Sequence, residues 1–189
     1  MANQWSKIAR RIRVPLGFVF AVLFIWLARP TWVSLAWSLW VVAPGIWLRG
    51  YASGYVKKNA ELTVSGPYAY TRNPLYLGSM LIAFGFAGAA RSVWILLALA
   101  ILFALIYAPT IRSEEEFLRG KFSDFDEYMR RVPQLFPRLT PAQLGRNTSE
   151  QTSSGIFSRN LYVKHREYNA LLGAAGIYAA LALRLYFAR

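Results

Sequence analysis

Apolar residues occur along this chain in five long blocks separated by polar stretches: residues 14–28, 31–48, 75–90, 92–108 and 168–187. A helix needs ~20 apolar residues to cross a bilayer, with ~17–25 as the usual range. The second, fourth and fifth blocks reach this length, and tilting or local bilayer thinning accommodates the other two. The pattern predicts an all-α, polytopic integral membrane bundle of about five transmembrane helices, with further cytoplasmic or interfacial helices.

The polar stretches organise a predicted single membrane domain of residues 1–189. Only Arg29 and Pro30 separate the first two blocks, and the third and fourth blocks are also close, so each pair forms a transmembrane hairpin. The last long stretch is rich in Ser, Thr, Asn and Gln, which is typical of a polar linker. The predicted parts are a first hairpin, a core that contains the second hairpin, a linker and a C-terminal helix: 14–48, 49–138 with 75–108, 139–167 and 168–188.

The net charge of +13 follows membrane topology rather than nucleic-acid binding. Lys and Arg concentrate at alternate block ends, whereas the opposite ends hold only Arg29, Arg91, Arg184 and Arg189. By the positive-inside rule the N-terminus is cytoplasmic and the C-terminus is outside. All nine Asp and Glu residues then lie on the cytoplasmic side. We expect an integral membrane protein, in the cytoplasmic membrane if the source is bacterial, with the membrane and no nucleic acid as partner.

The composition argues against metal and disulfide chemistry. The chain has no Cys and a single His, His165. A structural zinc site needs several Cys or His ligands, and a disulfide needs two Cys residues. We therefore predict no metal site. Arg29 follows the first block without a small-residue cleavage pattern, so no cleavable signal peptide is predicted either.

A helical pattern follows the fourth block. Its seam recurs at intervals of four and three residues and contains Ile111, Glu115, Leu118, Phe122, Phe125, Met129 and Val132. This spacing predicts one helix that ends near Val132 and Pro133, because proline cannot extend it. Glu115 is the polar exception, and a carboxylate in such a seam beside a membrane helix is costly without a cationic partner. The alternative is a solvated acidic patch of Glu114, Glu115 and Glu116 at the start of the helix.

The stretch from Gly66 to Gly78 is rich in Gly, Pro and Tyr and holds Arg72 near its centre. Gly66-Pro67 and Asn73-Pro74 mark two turns, and proline suits the first turn of the helix that follows. If this stretch meets the acidic segment on the cytoplasmic face, a cation, carboxylates and aromatic rings stand together. Such a set suits a zwitterionic ligand. The alternative is an interfacial loop whose arginine snorkels to the headgroups.

The Gly66–Gly78 stretch, GPYAYTRNPLYLG, resembles the GPYxxxR[HN]PxYxG signature of integral-membrane methyltransferases. That family includes isoprenylcysteine carboxyl methyltransferases and phospholipid N-methyltransferases. The acidic pair Glu114-Glu115, with the residues up to Val132-Pro133, resembles the family's second signature. The resemblance covers residues 50–138, so the predicted core is a catalytic core. It implies S-adenosylmethionine as the methyl donor, bound by the two signatures at the cytoplasmic membrane face.

The resemblance also implies roles for individual residues. Arg72 and Glu115 are the candidate catalytic residues, both in positioning roles: Arg72 holds the donor carboxylate or the loop itself, and Glu115 holds the donor ammonium. Asn73 stands where the isoprenylcysteine enzymes have His, which favours the phospholipid-methyltransferase-like branch. The implied cofactor-binding residues are Ala60, Glu61, Leu62, Thr63, Tyr68, Arg72, Asn73, Pro74, Leu75, Tyr76, Glu114 and Glu115.

The expected function is methyl transfer from S-adenosylmethionine to a lipid or lipophilic small-molecule acceptor that enters from the bilayer. Two further acceptor classes stay open, namely isoprenylcysteine-type carboxylates and small lipophilic thiols or amines. A function of a different class, that of a non-catalytic membrane scaffold or a transporter, also stays open. A transporter is expected to carry polar residues within its membrane helices. The apolar blocks hold almost none apart from Arg184.

Overall fold

The computed structural model describes residues 22–56, 61–143, 152–153 and 155–187, and helices dominate within them. The helices are α1 over residues 22–27, α2 Trp32–Ser53, α3 Pro74–Ala90, α4 Val93–Leu102, α5 Ala108–Lys121, α6 Phe125–Arg131, α7 Arg159–Lys164 and α8 Tyr168–Phe187. A 3₁₀ turn covers Gly66–Ala69, and a π-helical turn covers Phe103–Tyr107. Two short strands, β1 Leu62–Thr63 and β2 Thr152–Ser153, pair in parallel. The described part is therefore mostly helical, as predicted.

Helices α2 and α3 pack with their backbones in close contact. A Cβ atom added at Gly78 would lie 2.8 Å from the carbonyl oxygen of Gly45 and 2.6 Å from Cγ of Arg49. A Cβ atom added at Gly85 would lie 2.6 Å from Cγ2 of Val42. Positions 45 and 42 thus face positions 78 and 85, so the two helices run antiparallel. Small residues permit this approach, as in many membrane helix pairs.

A buried apolar cluster joins five helices. It includes Phe24, Leu35, Val42, Phe86, Ile95, Leu99 and Leu181, from α1, α2, α3, α4 and α8. At one end of the bundle the backbone N–H of Arg29 donates to the carbonyl of Ala90 over 2.8 Å, just before Arg91. Nη2 of Arg184 donates to the carbonyl of Trp26 over 3.0 Å. Arg29 and Arg91, which follow the first and third apolar blocks, and Arg184, near the end of the fifth block, therefore share one end.

Two helical stretches in the described part are long and apolar enough to cross a membrane, Val93–Lys121 and Tyr168–Phe187. The apolar helix Pro74–Ala90 is shorter. Helix α2 has 22 residues, but its four tryptophans, Pro44 and Arg49 lower its mean hydropathy. Most of the first predicted block lies outside the described residues. Membrane-length helices are thus confirmed, whereas the predicted number of transmembrane helices is not.

The helix that the fourth apolar block forms continues past the end of that block. Helices α4 and α5 form one continuous helix, Val93–Lys121, through the π-helical turn Phe103–Tyr107. Pro109 lies just beyond that turn, and its ring and missing N–H disturb regular α-helical hydrogen bonding. The acidic segment is therefore joined rigidly to a membrane-length helix.

The prediction of one helix through the acidic segment to Val132 is wrong. The chain becomes extended at Phe122, with φ −121° and ψ 121°, so α5 and α6 are separate helices. Ser123 and Asp124 follow, and side chains of this type compete with helical hydrogen bonding. The predicted end is confirmed, because α6 ends at Arg131 and Val132 is its C-cap.

The break keeps the apolar seam on one side of the molecule. A second buried cluster contains Leu62, Val64, Phe122, Phe125, Tyr128 and Val132, with Leu118 and Met129 packed against it. Strand β1 therefore lies against α5 and α6. Described parts of the predicted linker also bind this region, since the N–H of Ala142 donates to the carbonyl of Ala69 over 2.9 Å. Residues 144–151 and 154 of the linker lie outside the described part.

The α2–α3 contact is testable by replacing glycines in the same helix. We expect Gly78→Ala to destabilise the protein by ~1–3 kcal/mol, because the new methyl group meets backbone that cannot move aside. Gly88→Ala is the matched control, since no atom lies within 4 Å of its added Cβ. A Gly→Ala change within a helix increases the stability of the folded protein by ~0.5–1 kcal/mol when the new methyl group meets no other atom. Thermal unfolding in detergent measures both, and equal melting temperatures for the two variants contradict the packing.

Candidate functional site

The chain after α6 holds the loop before α3 through backbone contacts. The N–H of Arg72 donates to the carbonyl of Pro133 over 2.9 Å. The hydroxyl of Thr71, a buried residue, donates to the carbonyls of Gln134 and Leu135, each over 3.1 Å. The N–H of Arg138 donates to the carbonyl of Tyr70 over 3.0 Å. The two segments that the sequence singles out are therefore in direct contact.

Arg72 and Glu115 form an ion pair at this junction. Nε of Arg72 lies 3.1 Å from Oε1 of Glu115, and the two side chains are only 11% and 14% exposed. Nη2 donates to Oε2 over 3.5 Å, and Nη1 donates to the carbonyl of Met129 over 3.2 Å. The Nε–H is not aligned with any acceptor among the described residues. Nε therefore contacts Glu115 as an ion-pair partner and not through a well-aligned hydrogen bond.

Two amide side chains complete the surroundings of Glu115. Nδ2 of Asn73 donates to Oε1 over 3.2 Å, and Nε2 of Gln134 donates to Oε2 over 3.1 Å. Nδ2 of Asn73 also lies 3.2 Å from the carbonyl oxygen of Gln134, to which it donates. Glu115 is therefore a structural centre that ties α5 to both signatures, and not part of a solvated acidic patch. The sequence pattern gave no sign of Gln134.

Glu114 differs from its neighbour because it is exposed. Its Oε1 accepts a hydrogen bond of 3.0 Å from the hydroxyl of Tyr76. The ring of Tyr76 packs edge-on against Tyr107, with centroids 5.5 Å apart, and Tyr107 stacks on Phe103 at 4.2 Å. The π-helical turn thus brings aromatic rings beside an exposed carboxylate. A carboxylate and aromatic faces together favour a cation.

Tyr68 is buried beside the same groups. Its carbonyl accepts a hydrogen bond of 2.7 Å from the hydroxyl of Tyr128. Burial raises the pKa of the Tyr68 hydroxyl above its usual value, and the nearby carboxylates of Glu114 and Glu167 add to the effect. Burial likewise raises the pKa of Tyr128. Both phenols are therefore neutral at physiological pH.

A second ion pair, between Arg49 and Glu167, was missed by sequence reasoning. Nε and Nη2 of Arg49 each donate to one oxygen of Glu167 over 3.0 Å. Nη1 donates to the carbonyl of Leu75 over 3.3 Å and to the hydroxyl of Ser79. The absence of a side chain at Gly78 leaves room for the Arg49 stem. The available signal was a pair of opposite charges at two membrane-helix ends on one predicted face.

The other residues predicted to bind the cofactor differ in where they lie relative to the junction. Pro74 opens α3 and is fully buried, and the carbonyl of Leu75 belongs to the Arg49 contacts. Leu62 and Thr63 form β1 and are buried, with Leu62 in the apolar cluster under α5 and α6. Glu61 is half-buried beside them. Ala60 lies outside the described residues.

A groove between α2 and α3 lies away from this junction. Its volume is about 710 Å³, and its lining includes Thr31, Ser34, Trp37, Phe84 and Arg91. These residues belong to the opposite end of α2 and α3. Within the described residues, no group of three or more His, Asp or Glu side chains is placed to hold a metal ion.

Comparison with known sequences gives one family and two relatives. A sequence model described as "Phospholipid methyltransferase" matches residues 16–124. The "Cobalt-zinc-cadmium resistance protein CzcN" of Cupriavidus metallidurans is 40% identical over 138 residues, which cover 68% of this chain and 62% of the relative. The "Nickel-cobalt-cadmium resistance protein NccN" of Alcaligenes xylosoxydans xylosoxydans is 39% identical over 117 residues, 61% and 53% of the two chains. The chain thus matches less than two thirds of each relative's length. No solved structure matches.

The structural role of Glu115 is testable against its neighbour. We expect Glu115→Gln to destabilise the protein by about 1–3 kcal/mol, because it leaves the guanidinium of Arg72 half-buried without its counter-charge. Glu116→Gln removes the same charge from an exposed position of the same helix and is the control. Thermal unfolding in detergent is the measurement. Equal melting temperatures for both variants are incompatible with a stabilising Arg72–Glu115 ion pair.

Proposed function

The chain belongs to the phospholipid methyltransferase family, and we propose that it is a membrane enzyme that transfers a methyl group from S-adenosylmethionine to a lipophilic acceptor. The observation that carries this proposal is the junction of the two signatures through Arg72 and Glu115. Next to that junction stand an exposed carboxylate and aromatic rings, at Glu114, Tyr76 and Tyr107. Charges of both signs and aromatic faces suit the carboxylate, ammonium and sulfonium groups of this donor.

We assign different roles to the two acidic residues. Glu115 already accepts from Arg72, Asn73 and Gln134, so it positions the two segments relative to each other. Glu114 is exposed and is the better partner for the donor ammonium. Arg72, already bound to Glu115 and to the carbonyl of Met129, would hold the loop itself or take the donor carboxylate. Tyr68 and the first turn of α3 would line the site beside them.

Methyl transfer requires mainly that the protein position the donor and the acceptor relative to each other. When bound, the donor supplies a methyl group on a positively charged sulfur that is already a good leaving group. Transfer would form a bond between the acceptor's lone pair and the methyl carbon, and the electrons of the broken carbon–sulfur bond would stay with the departing thioether. An amine acceptor must also lose a proton to water, whereas a carboxylate acceptor need not. The protein therefore has to hold the reacting atoms ~3–3.5 Å apart and in line.

The acceptor is proposed to be phospholipid-like. Family membership and Asn73, in place of the isoprenylcysteine enzymes' His, support this choice. Isoprenylcysteine-type carboxylates and small lipophilic thiols or amines are the alternatives. The names of the two relatives refer to metal resistance. This chain has no Cys and one His, so it has few of the side chains that bind these metals. We propose that, if it contributes to metal resistance, it does so by methylating an acceptor and not by binding the metal.

The site is proposed to face the cytoplasm. Arg29, Arg91 and Arg184 share one end of the bundle, whereas Arg49 and Arg72 lie at the other end with the acidic segment. The end richer in basic residues is cytoplasmic by the positive-inside rule. The polar donor then enters from the cytoplasm and the lipophilic acceptor from the bilayer.

Calorimetric titration with S-adenosylhomocysteine, the demethylated donor, tests the assignment. We expect measurable binding to the wild type, on the order of tenfold weaker binding to Glu114→Gln from loss of one charged contact, and unchanged binding to Glu116→Gln. If Glu114→Gln and the wild type bind with equal affinity, Glu114 is not the partner of the donor ammonium. No binding to the folded wild type contradicts a methyltransferase and favours a scaffold.

A methylation screen then identifies the acceptor class. Purified protein in liposomes of total lipid extract is incubated with methyl-labelled donor, and the lipids are separated from the protein. We expect label in a phospholipid fraction. Label confined to a protein carboxylate or to a small thiol or amine would replace the proposed acceptor with one of the alternatives.

A further inference from the structure

The loop that follows α6 exposes two large apolar side chains. Phe136 is 85% exposed and Leu139 is 99% exposed, although both belong to a segment outside the apolar blocks. Pro137 lies between them. Apolar side chains that a globular surface leaves so exposed in one short loop mark an interaction site.

The same loop is held firmly against the candidate site. Its first residues, Pro133 and Gln134, accept hydrogen bonds from Arg72 and Asn73. Arg138 donates through its backbone to Tyr70. Because α3 begins at Pro74, these bonds fix the loop beside the start of an apolar helix. In a membrane protein that position is the boundary between headgroups and acyl chains.

Basic side chains surround the loop. Arg130, Arg131 and Arg138 are exposed. Arg131 pairs with Glu127 over 2.7 Å, and the acidic Asp126 pairs with Arg119 instead. The loop therefore carries a positive surplus next to its apolar side chains. Aromatic and leucine side chains combined with arginines are the composition of segments that lie in an anionic membrane interface.

We propose that residues 133–139 insert into the interface of a bilayer that contains anionic lipid. Phe136 and Leu139 enter the acyl boundary, and the arginines contact the headgroups. The loop then sets the depth at which Arg72 and Asn73 meet the membrane. This inference concerns how the chain sits in the bilayer, and it does not depend on the proposed methyl transfer.

The absence of native Cys makes a site-directed test clean. Phe136→Cys and Leu139→Cys are each spin-labelled in the full chain and reconstituted into vesicles of phosphatidylcholine and phosphatidylglycerol. Leu97→Cys, on an exposed face of α4, is the lipid-facing control, and Ser123→Cys, in the exposed turn after α5, is the aqueous control. Power saturation then compares collisions with oxygen, which prefers lipid, and with a water-soluble nickel complex.

We expect both loop labels to favour oxygen, as Leu97→Cys does. Collision ratios like those of Ser123→Cys place the loop in water and overturn the proposal. Low accessibility to both reagents means that another segment of this chain or a protein partner covers the loop, and it also overturns the proposal. In vesicles of phosphatidylcholine alone we expect the label at Leu139→Cys to lie less deep in the bilayer. An unchanged depth would show that the arginines do not draw the loop into the membrane through anionic headgroups.

Discussion

The half-buried ion pair between Arg72 and Glu115 is the constraint on which the candidate site depends. A charge in such surroundings is costly unless it is paired and hydrogen-bonded. The guanidinium is therefore drawn to the carboxylate, which Asn73 and Gln134 also bind. These contacts join the loop before α3, the continuous helix of α4 and α5, and the chain after α6. A backbone hydrogen bond from Arg72 and a side-chain hydrogen bond from the Thr71 hydroxyl then fix the same arrangement.

The C-terminal part of the chain contacts the candidate site, although it lies beyond the residues that the family model matches. The family match ends at residue 124. Beyond it, β2 pairs with β1, and Glu167 pairs with Arg49 beside the first turn of α3. His165 also lies 3.2 Å from the carbonyl oxygen of Ser53, at the end of α2. The start of α8 is thus fastened to the site end of the bundle and not only packed along the membrane helices.

The sequence predicts those features that depend on local chemistry. The turn and helix start at Pro74 follow from proline geometry, and the end near Val132 follows from Pro133. The partner of Glu115 is also foreseeable, because a carboxylate in an apolar seam needs a cation. The break at Phe122 is not, because the apolar seam continues across it with helical spacing. Tertiary packing of that seam on β1 outweighs the periodic signal.

Contacts between residues that are far apart in the chain cannot be predicted from a single sequence. Arg49 and Glu167 are 118 residues apart, and their opposite charges on one predicted face do not by themselves select one for the other. Gly78 belongs to the signature, yet its packing role is visible only once α2 lies against it. The exposed state of Glu114 and the enclosed state of Glu115 likewise depend on the rotation of α5. The sequence therefore identifies the acidic pair, and the fold distinguishes its members.

Photo-crosslinking tests whether the donor binds where the two signatures join. Purified protein is irradiated with labelled S-adenosylmethionine, digested and mapped by mass spectrometry, with excess unlabelled S-adenosylhomocysteine as competitor. We predict competed label on peptides from residues 66–78 and from the segment around Tyr107 and Glu114. Competed label confined to the opposite end of the bundle, around the groove at Trp37 and Arg91, would contradict the account.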